Sequence, residues 1–416
     1  MTTNTEHNDL YRLDAPLKRG KRVFALLFFI NLFNYIDRQV LYAVFPLIKS
    51  DLALSDTQLG LLASAFMIVY MMISPFTGYF GDRSRRQNWI AASAMLWSVA
   101  TVACAGVKNY AHLLVARSFI GVGEAGFTTI SPSFVAEHFP NRQRARVMAL
   151  FTLALPFGSA LGYLLGGHFG EQYGWRAAFL LVGVPGFFLG LAAFLLRDPN
   201  RGAQQKEPPP DFKRYKKLIK NKPFMYACLS QAMVTFTLGG FAAWMPSFFN
   251  RYYGYSVAEA SMVFGAMTVV GGILGTFAGG WLADWLHKKT QRAYFIVIYG
   301  TIFAAVPFAV AALSMHGKVP ALVCFLIAET LIFMHMGPIN AALVDATSVA
   351  VRSMAFALNI FIIHVLGDAV SPTVIGAISD AAGLRMAIVA CSLMLLLAGW
   401  FAVKGAQCLP AEPASS

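Results

Sequence analysis

Twelve runs of roughly 20 predominantly apolar residues divide this 416-residue chain, and they fix its class before any other feature is weighed. A helix rising about 1.5 Å per residue needs about 20 such residues to cross a hydrocarbon layer about 30 Å thick. The runs lie at about 23–48, 58–80, 89–106, 111–136, 145–168, 177–196, 223–249, 258–283, 293–313, 320–346, 353–379 and 385–404. They are too long for barrel strands, which span in about 10 residues of alternating character. Composition agrees: 57% of residues are hydrophobic and 13% charged, against roughly 25% charged in an average soluble domain. A soluble fold has no place for that much apolar surface. The sequence predicts an all-α membrane protein with twelve transmembrane helices.

A net charge of +13 invites a nucleic-acid reading, but the cations are not grouped as a binding footprint. With a cytoplasmic N-terminus, inner segments hold 25 of the 33 Lys and Arg and outer loops hold six. That is the positive-inside bias, so both termini are expected in the cytoplasm and no nucleic-acid partner is expected. Four of the five cysteines, Cys104, Cys228, Cys324 and Cys391, fall in apolar runs, which argues for packing rather than a disulfide framework. The polar first 22 residues carry Lys18, Arg19, Lys21 and Arg22 ahead of a run too long for a cleaved signal, so the first run is read as a retained helix. Short loops and no targeting segment point to a bacterial inner membrane, and a monomer is expected.

Composition divides the chain into a cytoplasmic tail (1–22), an N-terminal six-helix half (23–196), a basic cytoplasmic linker (197–222), a C-terminal six-helix half (223–404) and a second tail (405–416). The linker carries Pro208, Pro209 and Pro210, then Lys213, Arg214, Lys216, Lys217, Lys220 and Lys222. Its basic part reads equally as a short helix on anionic headgroups or as a solvated tether. The halves repeat. Gly78 and Asp82 recur as Gly280 and Asp284; Pro132, Arg146 and Met148 as Pro338, Arg352 and Met354; Gly158, Gly167, Gly174 and Arg176 as Gly367, Gly376, Gly383 and Arg385. Six spans separate each pair, so equivalent helices point the same way. Parallel halves of this kind rock about a site between them.

After the second span comes Gly78-Tyr-Phe-Gly81-Asp82-Arg83-Ser-Arg85-Arg86, with a weaker copy at Gly280-Trp-Leu-Ala-Asp284-Trp-Leu-His287-Lys288-Lys289. Glycines let helices approach closely, and an Asp at a helix end pairs with cations or with a neighbouring helix N-terminus. In this form the sequence resembles the major facilitator superfamily, whose loop motif occurs in both halves. The resemblance implies that Asp82 helps latch the cytoplasmic side. Gly78, Arg83, Arg86, Arg146 and Asp284 join it as gating candidates. Asn34-Tyr35-Ile36-Asp37-Arg38, the run Leu54-Ser55-Asp56-Thr57-Gln58-Leu59-Gly60, Arg117 with Gly121-Val122-Gly123-Glu124-Ala125, and Gly174-Trp175-Arg176 with Phe179 are similar to the Spinster branch of that superfamily.

Two acids are the most informative residues. Asp37 lies ~21 Å into the first span and Glu124 ~20 Å into the fourth at about 1.5 Å per residue, so both come near the bilayer centre. A charge there costs at least about 2.5–3.5 kcal/mol, so each acid must face a cavity, pair or be protonated. Arg117 precedes Glu124 by two helical turns and Arg38 adjoins Asp37, so the four are expected to form one cluster. As coupling residues, Glu124 and Asp37 would bind and release protons with their affinity set by Arg117 and Arg38, and an anionic substrate would contend for the same arginines. The bland alternative is a fixed structural ion-pair cluster.

Substrate-binding candidates are Arg117 and Glu124, with Tyr35, Phe127, Thr235, Phe236 and Trp244 as an amphipathic wall. His335, His364, Glu329 and Asp368 are weaker, each equally well explained by helix packing. Gly121-Val-Gly123-Glu-Ala-Gly126 matches a dinucleotide-binding pattern, but lies mid-span without a preceding strand and puts an acid where a pyrophosphate would sit. Motifs for ATP hydrolysis and zinc binding are missing from the sequence, so neither an enzyme, a metal nor an organic cofactor is expected; the proton is the expected coupling ion.

The function expected is therefore proton-coupled secondary transport by alternating access. The Spinster resemblance implies a lipid-like substrate of the lysophospholipid or sphingoid type, or another anion, with membrane lipids as the surrounding partners. A transporter of small organic or sugar acids, an uncoupled uniporter and a membrane sensor stay open as alternatives.

Overall fold

The computed structural model describes residues 5–81, 84–196, 212–348 and 351–410. Among the described residues all regular structure is helical. In these described residues twelve helices are long and apolar enough to cross a bilayer: α1 Gly20–Ala43, α2 Asp56–Tyr79, α3 Arg86–Ala105, α4 Tyr110–Glu137, α5 Arg142–Tyr173, α6 Trp175–Ala193, α7 Lys222–Tyr253, α8 Val257–His287, α9 Ala293–Ser314, α10 Lys318–Asp345, α11 Met354–Ala382 and α12 Leu384–Gln407. Each matches one apolar run. The first run is corrected at its end: α1 stops at Ala43 and a separate helix, Phe45–Leu52, follows, closed by Ala53 at φ 49°. Among the described residues of the linker lies one further helix, Phe212–Lys220.

Helix ends follow local chemistry. Asn109 caps α4 by accepting from His112 N at 3.0 Å, and Asn221 caps α7 through Phe224 N at 3.3 Å. Ser256 and Glu259 form a capping box at the start of α8. The repeat is visible in the backbone: Gly174 ends α5 at φ 85°, ψ 153°, and Gly383 ends α11 at φ 88°, ψ 151°. Prolines inside α2, α4, α6, α7 and α9 are accommodated as neighbouring helices permit in a membrane. In α11 the regular ladder gives way to a π turn at His364–Asp368, with Gly367 at φ −107°, ψ −110°.

The chain forms two compact units. The first comprises Met1–Val44 and Ile68–Glu207, the second Phe45–Met67 and Pro208–Ser416. In the first, α3 packs against α4 and α6, and α1 against α5. In the second, α7 is the most enclosed helix, with 78% of its most apolar window buried, and it carries α11 and α12. The start of α2 joins this unit by a specific device. Asp380 of α11 accepts from Asp56 N and Thr57 N at 2.8 Å each and from the Thr57 hydroxyl at 2.6 Å, capping the α2 N-terminus. Phe76, Phe188, Phe277 and Trp281 are exposed, the apolar exterior that lipid requires.

Candidate functional site

Asp37 and Arg38 are consecutive on α1, so their side chains leave the helix about 100° apart. Arg117 and Glu124 lie seven residues apart on α4, about 10 Å along its axis. One helix therefore cannot pair its own acid with its own cation, and the two helices pair crosswise. Arg38 Nε donates to Glu124 Oε2 at 2.6 Å, and Arg117 Nη1 stands 3.5 Å from Asp37 Oδ1. Asp37, Arg117 and Glu124 are fully buried, whereas the Arg38 side chain keeps 17% exposure. Thr101 of α3 donates its hydroxyl to Asp37 Oδ2.

The Arg38 guanidinium also lies over the rings of Tyr35, at 5.4 Å, and Tyr70 of α2, at 5.1 Å. Cation–π contacts of this kind hold a charge without neutralising it. The Tyr70 hydroxyl meets Thr128 Oγ1 at 2.7 Å, and Thr128 in turn donates to the Glu124 carbonyl at 2.8 Å. Glu124 Oε1 is buried without a hydrogen-bond partner. One carboxyl oxygen is thus engaged by a cation, and the other is vacant as an acceptor. The Asn34 amide, one turn before Asp37, is likewise buried with neither of its polar atoms hydrogen-bonded.

The cluster expected from the sequence is present in the first unit, and the pairing within it is Arg117 with Asp37 and Arg38 with Glu124. Tyr35 sits beneath Arg38. Phe127 is buried edge-on against Trp97, with ring centroids 5.4 Å apart. The glycine-rich run around Glu124 serves packing: a Cβ on Gly123 would lie 2.6 Å from Trp97 N. In the second unit, Trp244 is buried, donates Nε1 to Pro372 O at 3.0 Å and packs on Phe45 at 5.4 Å. Phe236 is buried, and Thr235 flanks Gly367 of the π turn. His364 Nδ1 lies 2.8 Å from Asp368 Oδ1, His335 Nδ1 is 2.6 Å from Ile332 O, and Glu329 accepts from Thr268 at 3.0 Å.

Of the gating candidates, Asp82 and Arg83 lie outside the described residues. Gly78 packs towards Thr129 of α4, and Arg86 grips Glu137 through two bonds of 2.8 and 2.5 Å, tying the start of α3 to the end of α4. Arg146 and Asp284 are exposed.

Sequence reasoning missed Tyr70 and Thr101, which carry no motif of their own. It also missed Asp56. That carboxylate is 2.5 Å from Lys49 Nζ, takes a two-pronged grip from Arg251 at 2.6 and 2.7 Å, and accepts from the Ser379 hydroxyl. Lys49 and Arg251 count in the sequence only as outer-loop cations; Arg251 stands 195 residues from Asp56, a separation that leaves no local pattern.

The sequence model of the Major Facilitator Superfamily matches residues 27–367. Protein spinster homolog 1 of Xenopus laevis is 33% identical over 390 residues, spanning 87% of this chain and 73% of that protein. Sphingosine-1-phosphate transporter SPNS2 of Danio rerio is 31% identical over 435 residues, spanning 95% and 85% respectively. Among solved structures, a bacterial homolog of the human lysosomal transporter Spinster, inward-facing and unoccupied, superposes with a TM-score of 0.83 at 23% identity, covering 94% of this chain and 98% of that one. A D-xylose-proton symporter follows at 0.73 and 17%, covering 91% and 96%. These two likenesses establish the shared fold, and the sequence relatives the narrower kinship. The chain is a multi-pass membrane transporter rather than an enzyme, and it belongs to the Spinster family of the major facilitator superfamily.

Proposed function

We propose that this protein is a proton-coupled secondary transporter that works by alternating access and carries an amphipathic substrate with an anionic headgroup, of the lysophospholipid or sphingoid-phosphate class. The observation that carries the reading is the Arg38–Glu124 pair: a buried carboxylate with one oxygen bound to a cation and the other vacant. A proton on Glu124 removes the negative charge that holds Arg38. Arg38 keeps its place on the Tyr35 and Tyr70 rings and then offers an anion the guanidinium that Glu124 has released. An anion on Arg38 in turn removes the cation that keeps Glu124 charged. Proton and anionic substrate therefore favour each other's binding, which is the linkage a symporter uses.

Asp37 and Arg117 form the fixed partner of this switch, because both are buried and Thr101 adds a further bond to the carboxylate. An amphipathic substrate is supported by the kinship with SPNS2, a sphingosine-1-phosphate transporter. The Lys and Arg bias supports cytoplasmic termini, and the short connections between spans suit a bacterial inner membrane.

Proteoliposome uptake under an imposed pH gradient tests the coupling. The wild type is expected to accumulate substrate uphill, and Glu124→Gln to lose the gradient dependence while still equilibrating substrate. Uphill accumulation by Glu124→Gln would overturn the coupling role. A thermal-shift screen with lysophospholipids, sphingosine phosphate and organic acids tests the substrate class, since a ligand of the folded state raises apparent stability. Stabilisation by an organic acid and by no lipid would overturn the lipid assignment.

A further inference from the structure

The linker helix Phe212–Lys220 leads directly into the span α7. One residue, Asn221, separates it from α7, so it stays within a turn or so of the end of that span. Asn221 fixes the junction: its Oδ1 accepts from Phe224 N at 3.3 Å and its Nδ2 donates to Ala346 O at 2.7 Å. The helix rests on α7 and on the start of α11.

Its exposed residues have a definite arrangement. Leu218 is 4% exposed and marks the inward direction, while Ile219 is 55% exposed and Lys216, Lys217 and Lys220 are exposed. At about 100° per residue, Lys216, Lys220 and Lys217 fall at about 160°, 200° and 260° from Leu218, an outward arc of cations, with Ile219 at about 100° on its margin. Beside the helix lies a cleft of about 390 Å³ lined by Lys217, Leu218, Asn221, Ala346, Thr347, Ser348 and Val351. The Thr347 hydroxyl is spent on Leu343 O at 2.8 Å, and both ends of the Asn221 amide are engaged. Among the described residues Lys217 is the cation that lines the cleft.

We propose that this helix and cleft form a binding site for the phosphate headgroup of an anionic glycerophospholipid in the adjoining leaflet. Charge complementarity supplies the anion: three outward lysines on one arc, and one of them at the cleft. Ile219 selects a lipid over a free phosphate, because an exposed aliphatic side chain at the margin of a cationic arc suits the boundary between headgroups and acyl chains and contributes nothing to a soluble anion. Because the helix rests on α7 and α11, the bound lipid stabilises the second unit. The inference uses the orientation proposed above only to name the leaflet as cytoplasmic, and it is independent of proton coupling.

The test measures thermal unfolding of the full-length protein in detergent with added phosphatidylglycerol, phosphatidylcholine or glycerol phosphate. Phosphatidylglycerol is expected to raise the midpoint, and the other two to leave it unchanged. Replacing Lys216, Lys217 and Lys220 by Gln together is expected to preserve the midpoint without lipid and raise half-saturating phosphatidylglycerol about a hundredfold, at about fivefold per lysine near a charged surface. The same three positions changed to Arg restore the shift, and Lys288→Gln with Lys289→Gln leaves it intact. A full shift in the triple Gln variant, or an equal shift from phosphatidylcholine or glycerol phosphate, would overturn the proposal. Salt gives a second measurement on the wild type: a shift that survives 1 M salt unchanged, where screening reaches about 3 Å, overturns it too.

Discussion

Arg38 of α1 is bound to Glu124 of α4 at 2.6 Å, while its chain neighbour Asp37 is held from the opposite direction by Arg117 of α4 at 3.5 Å. The two ion pairs cross between the same two helices, so each helix supplies one acid and one cation. Removing one partner therefore leaves its counterpart buried on the other helix without its counter-ion. At a pH high enough to keep Glu124 ionised, Arg38→Gln is expected to destabilise the protein by about 3–5 kcal/mol, the usual cost of an orphaned buried charge. Arg38→Gln combined with Glu124→Gln is expected to recover most of that loss in thermal unfolding, and to transport nothing against a gradient. A loss in the double variant equal to the sum of the Arg38→Gln and Glu124→Gln losses would show that the pair contributes no coupling energy.

Thr101 donates to the buried Asp37 carboxylate, the one neutral hydrogen bond to this acid on the described side chains. Hydrogen bonds to charged groups contribute about 1.5–3 kcal/mol. Thr101→Val keeps the shape and removes the donor, so a loss of that size is expected in denaturant or thermal unfolding. Thr101→Ser is expected to keep most of the wild-type stability, which separates the hydroxyl from the packing of the methyl group.

Much of this was readable in the chain. Apolar run length is a local property, so twelve spans emerge within a few residues of their ends. The depth of Asp37 and Glu124 also follows from counting residues, because helical rise is constant. The pairing did not follow: Arg117 shares a face with Glu124 in sequence, but pairing depends on the distance and rotation between α1 and α4, which no spacing within one helix encodes. The same holds for Asp56 and Arg251, and for the membership of Phe45–Met67 in the second unit. Trp244 reads as an amphipathic wall residue in sequence, whereas in the structure its indole N–H is committed to Pro372 O.

Asp56 gathers Lys49, Arg251 and Ser379 around one carboxylate, and Asp380 caps the helix that Asp56 begins. Asp56→Asn leaves Arg251 without its two-pronged partner and is expected to cost about 3 kcal/mol by the broken-pair logic. Asp380→Asn still offers one acceptor to the α2 N-terminus and is expected to cost about 1 kcal/mol, within the range of helix caps. Thermal midpoints at low and high salt check both. Because Lys49 and Arg251 are partly exposed, 1 M salt is expected to narrow the gap between wild type and Asp56→Asn.

Gly174 and Gly383 occupy equivalent positions in the two halves and share a backbone geometry, φ 85° and 88° with ψ 153° and 151°. This region is open to glycine and strained for any residue with a Cβ. At Gly174 an added Cβ would meet nothing within 4 Å, and at Gly383 its first neighbour would be the Tyr252 hydroxyl at 3.7 Å. Steric contact therefore contributes little at either site, and Gly→Ala measures the backbone alone. Each substitution is expected to cost about 1–3 kcal/mol, and the two costs are expected to agree within about 0.5 kcal/mol and to add in the double variant. Thermal unfolding of the two single variants and the double variant decides it. A cost at one glycine and none at the other would mean that the repeat preserved the residue without preserving the turn.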